Sequence, residues 1–76
     1  MAIVAEIGEI EFVERTYVEY RWDPNGNEFG TPEMASQEGM DNFLANLVSR
    51  GAWDIKVRRA GYDDVLVGPN HWSEYA

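Results

Sequence analysis

Seventy-six residues provide for one small domain, of a size that buries only about 60% of the surface its unfolded chain exposes, and they argue against a repeat array or a deep substrate cleft. Fourteen Asp and Glu against six Lys and Arg leave a net charge of −8, the wrong sign for gripping nucleic-acid phosphates or an anionic membrane directly. There is no cysteine, which removes disulfides, thiolate metal sites and cysteine nucleophiles together, whereas 45% hydrophobic content is enough to fold.

The first six residues lack a basic region and reach Glu6 early, so no signal peptide is expected. No apolar run approaches the ~20 residues of a membrane span. Small secreted domains usually add disulfides, so a cytoplasmic setting is the expectation (a host cytoplasm if the gene is carried by a phage).

From Ile10 to Trp22 apolar and polar residues alternate. The even positions are mostly apolar (Ile10, Phe12, Val18, Tyr20, Trp22), the odd ones mostly charged (Glu9, Glu11, Arg15, Glu19, Arg21). That period of two predicts a half-buried strand, either one long strand or two with a break near residues 14–16. Gly8 is the expected point of a bulge or bend. Asp23 to Asn27 form the strongest turn signal, with Pro24 presetting φ and Gly26 expected as the left-handed residue. Glu28–Gly30 should return as a short strand.

Met40, Phe43, Leu44, Leu47 and Val48 fall on one helical stripe, so a helix is predicted over about 37–50. Ser36 is its N-cap, Glu38 lies in its first turn, and Gly51 is the left-handed residue after its end. Trp53, Ile55 and Val57 alternate with Asp54, Lys56 and Arg58 as a further strand. A three-residue turn at 59–61 returns the chain to Val65 and Val67, with Lys56 expected opposite Asp64 and Arg58 opposite Tyr62. Residues 70–76 form a short aromatic tail.

The predicted fold is a single α+β domain over residues 1–76. It is a ββαββ-type antiparallel sheet with one amphipathic helix on one face, and the other face is left to water or a partner.

Little in the chain reads as catalytic or metal-binding machinery. His71 is the one histidine and has no nucleophile-and-acid context, so it reads as a surface residue. Asp23, Asn25 and Asn27 match the first three ligand positions of a calcium loop, but Glu28 stands where glycine is needed and Met34 where a bidentate acid is needed. The pairs Glu9/Glu11 and Asp63/Asp64 read as solvated charge. No cofactor, metal site or enzymatic activity is expected.

Charge is the informative feature. Residues 1–49 hold ten acids and two bases, and residues 50–76 hold four of each. Strand parity puts Glu9, Glu11 and Glu19 on one exposed face with Tyr17, and Tyr62 on the exposed face of the later hairpin. Such a surface either serves solubility or docks a basic partner, one that ordinarily holds phosphates, through apolar anchors among the charges. Trp72 and Tyr75 either cover a sheet edge or anchor a homodimer, and the sequence leaves both open. In size and charge the chain is similar to small acidic proteins of phages and mobile elements that block host nucleic-acid-handling enzymes, anti-CRISPR proteins among them, although no motif carries the resemblance. It implies a non-enzymatic inhibitor or adaptor that binds a basic protein surface at Glu9, Glu11, Tyr17, Glu19, Tyr62, Trp72 and Tyr75. The alternative is a self-associating assembly subunit such as a virion protein.

Overall fold

In the computed structural model, which describes residues 3–71, the elements run β1 (Ile3–Ala5), β2 (Thr16–Arg21), β3 (Glu28–Gly30), α1 (Gln37–Ser49), β4 (Trp53–Arg59) and β5 (Val65–Val67). The five strands form one sheet in the order β1-β5-β4-β2-β3. The α+β class and the single helix packed on one sheet face agree with the sequence reading. The sheet is mixed, however, because β1 lies parallel to β5 while all other neighbours are antiparallel.

The second correction concerns residues 10–22, where strand begins only at Thr16. Two local devices break the extended run. A turn at 6–9 closes when the Glu9 N–H donates to the Glu6 carbonyl at 3.0 Å, with Gly8 at φ 96°. Arg15 then takes φ 61°, a left-handed conformation that an extended strand does not accommodate. Beside it the Thr16 hydroxyl accepts from the Val13 N–H at 3.3 Å and donates to the Val13 carbonyl. Segment 6–15 therefore crosses from the β1 edge to β2, past the two middle strands. Its apolar residues still face inward: Ile10 is 3% exposed and Phe12 packs on the core.

Helix α1 forms for the reasons the sequence suggested. The Ser36 Oγ accepts the Gly39 N–H at 3.0 Å, and Gly51 follows the helix at φ 76°. Met40, Leu44 and Leu47 are buried against Val18, Ile55, Val57, Val65 and Val67 of the sheet. Phe43 and Val48 flank this core. Gly68, at φ 85°, lies so close beneath the helix that a Cβ there would sit 3.2 Å from a Val48 methyl. At the other flank Tyr20 packs against Trp22, Phe29 and Phe43, and the Arg50 guanidinium sits 4.8 Å from the centre of the Trp22 ring.

Four further details differ from expectation. The turn at 23–27 closes through the Gly26 N–H to the Asp23 carbonyl, but Gly26 is not left-handed. Hairpin β4–β5 pairs Lys56 with Leu66, two residues from the predicted register, because Asp63 and Asp64 stay in the loop after the turn at Gly61 (φ 80°). The β2–β4 ladder slips between Glu19 and Arg21, opposite Asp54 at φ 50°. This bulge turns Asp54 inward, where it is 3% exposed and 3.7 Å from Arg21 Nε. Leu66 faces away from the helix and is fully buried, so the outer sheet face is not wholly given to water.

Candidate functional site

Six of the fourteen acids lie on residues 9–14 of the crossing segment and around the start of α1, which Gln37 ties together. Its side-chain amide accepts from the Phe12 N–H at 2.9 Å and donates to the Ile10 carbonyl at 2.9 Å. It thereby bonds the crossing segment as a neighbouring strand would, and it also reaches Asp41 at 3.2 Å. Three residues further on, the Arg15 N–H donates to Glu33 Oε2 at 2.9 Å. These ties bring Glu9, Glu11 and Glu14 of the segment beside Glu33, Glu38 and Asp41 around the start of α1. All but half-buried Asp41 are exposed, and none forms an ion pair among the described residues. Acids near a helix N-terminus are favoured by the helix dipole, so this concentration is tolerated by the fold.

Beside this end lies an apolar slot of about 730 Å³ between α1 and the β1 edge. Ala5, Ile7, Val48 and Val67 line it, with Glu6 and Glu9 at the rim. Val4, exposed on the edge strand, is part of the same slot.

The outer sheet face is arranged differently. Glu19 is not a free acid there: its carboxylate bridges Lys56 at 3.6 Å and Arg58 at 3.2 Å. Arg58 also meets Asp64 at 3.7 Å, and Lys56 meets Glu28 at 3.7 Å. The hydrogen bond that Arg58 donates to Glu19, with the charges of Glu19 and Asp64, holds the Arg58 guanidinium above its ordinary pKa. Tyr17 and Tyr62 flank a shallow groove of about 440 Å³ on this face, with Arg15, Arg58 and Arg59 in its lining.

The expected site residues therefore divide. Tyr17, Glu19 and Tyr62 come together in the outer groove. Glu9 and Glu11 lie at the acidic end, not on a strand face with Glu19, because residues 6–15 are not strand. Trp72 and Tyr75 lie outside the described residues. His71 is half-buried, with Nδ1 shut away from solvent and without a hydrogen-bond partner among the described residues, not the surface side chain expected. Sequence reasoning missed Gln37, Glu33, Arg15 and Arg59. Each acts through a partner eighteen or more residues away or through the groove, and no local pattern signals such pairs.

Among the described residues no group of three or more His, Asp or Glu is placed to hold a metal ion, and no helix is long and apolar enough to cross a membrane. No protein-family model, curated protein or solved structure matches the chain.

Proposed function

We propose that this chain is a protein-binding module, an inhibitor or adaptor that works by docking on a basic surface of a partner protein. The observation that carries the reading is the clamp at Gln37, which holds the segment bearing Glu9, Glu11 and Glu14 by the start of α1 with Glu33, Glu38 and Asp41, none of the six in an ion pair among the described residues. Such a field speeds approach of a basic partner and disfavours wrong ones. The neighbouring slot supplies what charge alone lacks, an apolar seat for a side chain of that partner. The partner chemistry is thus an apolar residue flanked by Lys or Arg, of the kind found on surfaces that ordinarily hold phosphates.

The test is affinity capture at low and high salt with the wild type and with Glu9→Gln/Glu11→Gln/Glu14→Gln, followed by titration of the captured protein in purified form. The triple variant should weaken binding and flatten its salt dependence. Asp23→Asn, at the opposite end of β2, should leave both unchanged. Equal affinity and salt slope for wild type and triple variant would reduce the acidic end to a solubility device.

A second reading, self-association, is favoured by the aromatic side chains left exposed beside edge strand β3: Phe29 is 45% and Trp22 37% exposed. A mass that rises with concentration in light scattering, and returns to the monomer value in Phe29→Ser, would support it.

A further inference from the structure

The groove on the outer sheet face carries an arrangement that its surroundings do not account for. Three of the five arginines line it in a chain with a net charge of −8. Arg58 is neutralised by Glu19 and Asp64. Arg15 and Arg59 form no ion pair among the described residues, although carboxylates outnumber bases more than twofold.

Arg59 is also held in place. Its Nη1 donates to the Glu11 carbonyl at 3.0 Å, and its guanidinium lies over the Tyr62 ring at 4.3 Å. Its Nε is buried and has no hydrogen-bond partner among the described residues. A guanidinium fixed on an aromatic face, bonded to one carbonyl and lacking a counter-charge, is preorganised to receive an anion, since the entropy of ordering the side chain has been spent before binding. Arg15 is aimed by its own backbone, whose left-handed φ of 61° is secured by Glu33.

We propose that this groove is a binding site for a small aromatic oxyanion, a carboxylate or phosphate carried on a flat ring. The anion pairs with Arg15 and Arg59 by charge-assisted hydrogen bonds. The ring lies against Tyr17 and Tyr62, which are 39% and 50% exposed. The volume of about 440 Å³ falls within the range of small-molecule sites. The Glu19–Arg58–Asp64 network also lines the groove and sums to a charge of −1, so recognition rests on Arg15 and Arg59. At ~0.1 M salt the Debye length of ~10 Å screens the remote acids, while groups in direct contact with the ligand keep their effect. The site borders the acidic end through Glu33, which holds the Arg15 N–H, and through the Glu11 carbonyl, which holds Arg59, but anion binding in the groove does not require the docking reading.

The experiment is a titration of the full chain followed by backbone amide NMR with three probes: phenyl phosphate, inorganic phosphate and benzyl alcohol. Phenyl phosphate should give saturable shifts confined to residues around 15–17, 30–31 and 58–64. Inorganic phosphate should shift the same amides more weakly, and benzyl alcohol should give no saturable shift. Arg15→Gln, whose side chain has no described ion pair, and Arg59→Gln should each weaken phenyl phosphate about tenfold or more, the range for charge-assisted bonds. Tyr62→Leu removes both the seat for the ring and the aromatic face that holds Arg59, so it should weaken phenyl phosphate more than inorganic phosphate. The proposal is overturned if phenyl phosphate gives no saturable shift, if benzyl alcohol binds equally well, or if folded Arg15→Gln binds as the wild type does.

Discussion

Replacing Gln37 by alanine tests how the acidic end is built. The substitution removes the acceptor of the Phe12 N–H and the donor to the Ile10 carbonyl, both at 2.9 Å. A neutral hydrogen bond contributes about 0.5–1.5 kcal/mol net, so the pair is worth about 1–3 kcal/mol. Water reaches the Phe12 end, where the bond is exposed, and alanine is the better helix former by a few tenths. Both effects pull the expected loss toward about 1–2 kcal/mol. Against a total of roughly 4–11 kcal/mol for 76 residues that is a sizeable share, and it corresponds to about 4–16 °C in Tm for a domain this small. Urea unfolding followed by tryptophan fluorescence measures the loss, and amide hydrogen exchange at Phe12 locates it. Under the proposed docking function the variant should also retain less protein in the low-salt capture, because segment 9–14 is no longer held against α1. Gln37→Glu keeps the acceptor, loses the donor and sets a second carboxylate beside Asp41, so it should be no more stable than the alanine variant. A loss under about 0.3 kcal/mol with unchanged Phe12 exchange would refute the clamp.

Leu44→Ala should cost about 2–5 kcal/mol in the same unfolding assay, the range for a fully buried leucine, and a loss below half a unit would mean that the helix stripe is not the core. Gly68→Ala combines a left-handed φ of 85° with a Cβ placed 3.2 Å from Val48; it should destabilise by more than about 1 kcal/mol, and the double variant Gly68→Ala/Val48→Ala should recover none of the φ component. Arg58 is held above its ordinary pKa first by the Glu19 hydrogen bond and then by the charges of Glu19 and Asp64. A raised folded-state pKa contributes stability that is fully present below the unfolded value and is lost only as pH climbs through the folded one. The stability difference between wild type and Arg58→Gln should therefore stay flat between about pH 7 and 10, where arginine is protonated in both states. A slope in that window would assign the network to another titrating group.

Much of the architecture was legible along the chain because it depends on local periodicity. The 3.6-residue stripe from Met40 to Val48, bracketed by Ser36 and Gly51, defines α1 without reference to anything else. The alternations of β2 and β4 likewise identify Val18, Ile55 and Val57 as core. Alternation reports which side chains point inward, and it did so correctly for Ile10 and Phe12, but it does not report what pairs with the backbone. In residues 6–15 the described backbone bonds go to a local turn and to the side chains of Glu9, Thr16, Glu33, Gln37 and Arg59, and not to the backbone of a neighbouring strand. A left-handed arginine and a glutamine twenty-five residues away decided that outcome. The same limit governs charge. The sequence by itself determined that the acids crowd into residues 1–49. Only the tertiary structure decided that Glu19 is bound up with Lys56 and Arg58, that Glu9 and Glu11 instead join Glu33, Glu38 and Asp41, and that Arg15 and Arg59 share a groove with two tyrosines. Electrostatic interaction depends on distance in space, and in a chain folded through a crossing connection that distance has no fixed relation to separation along the sequence.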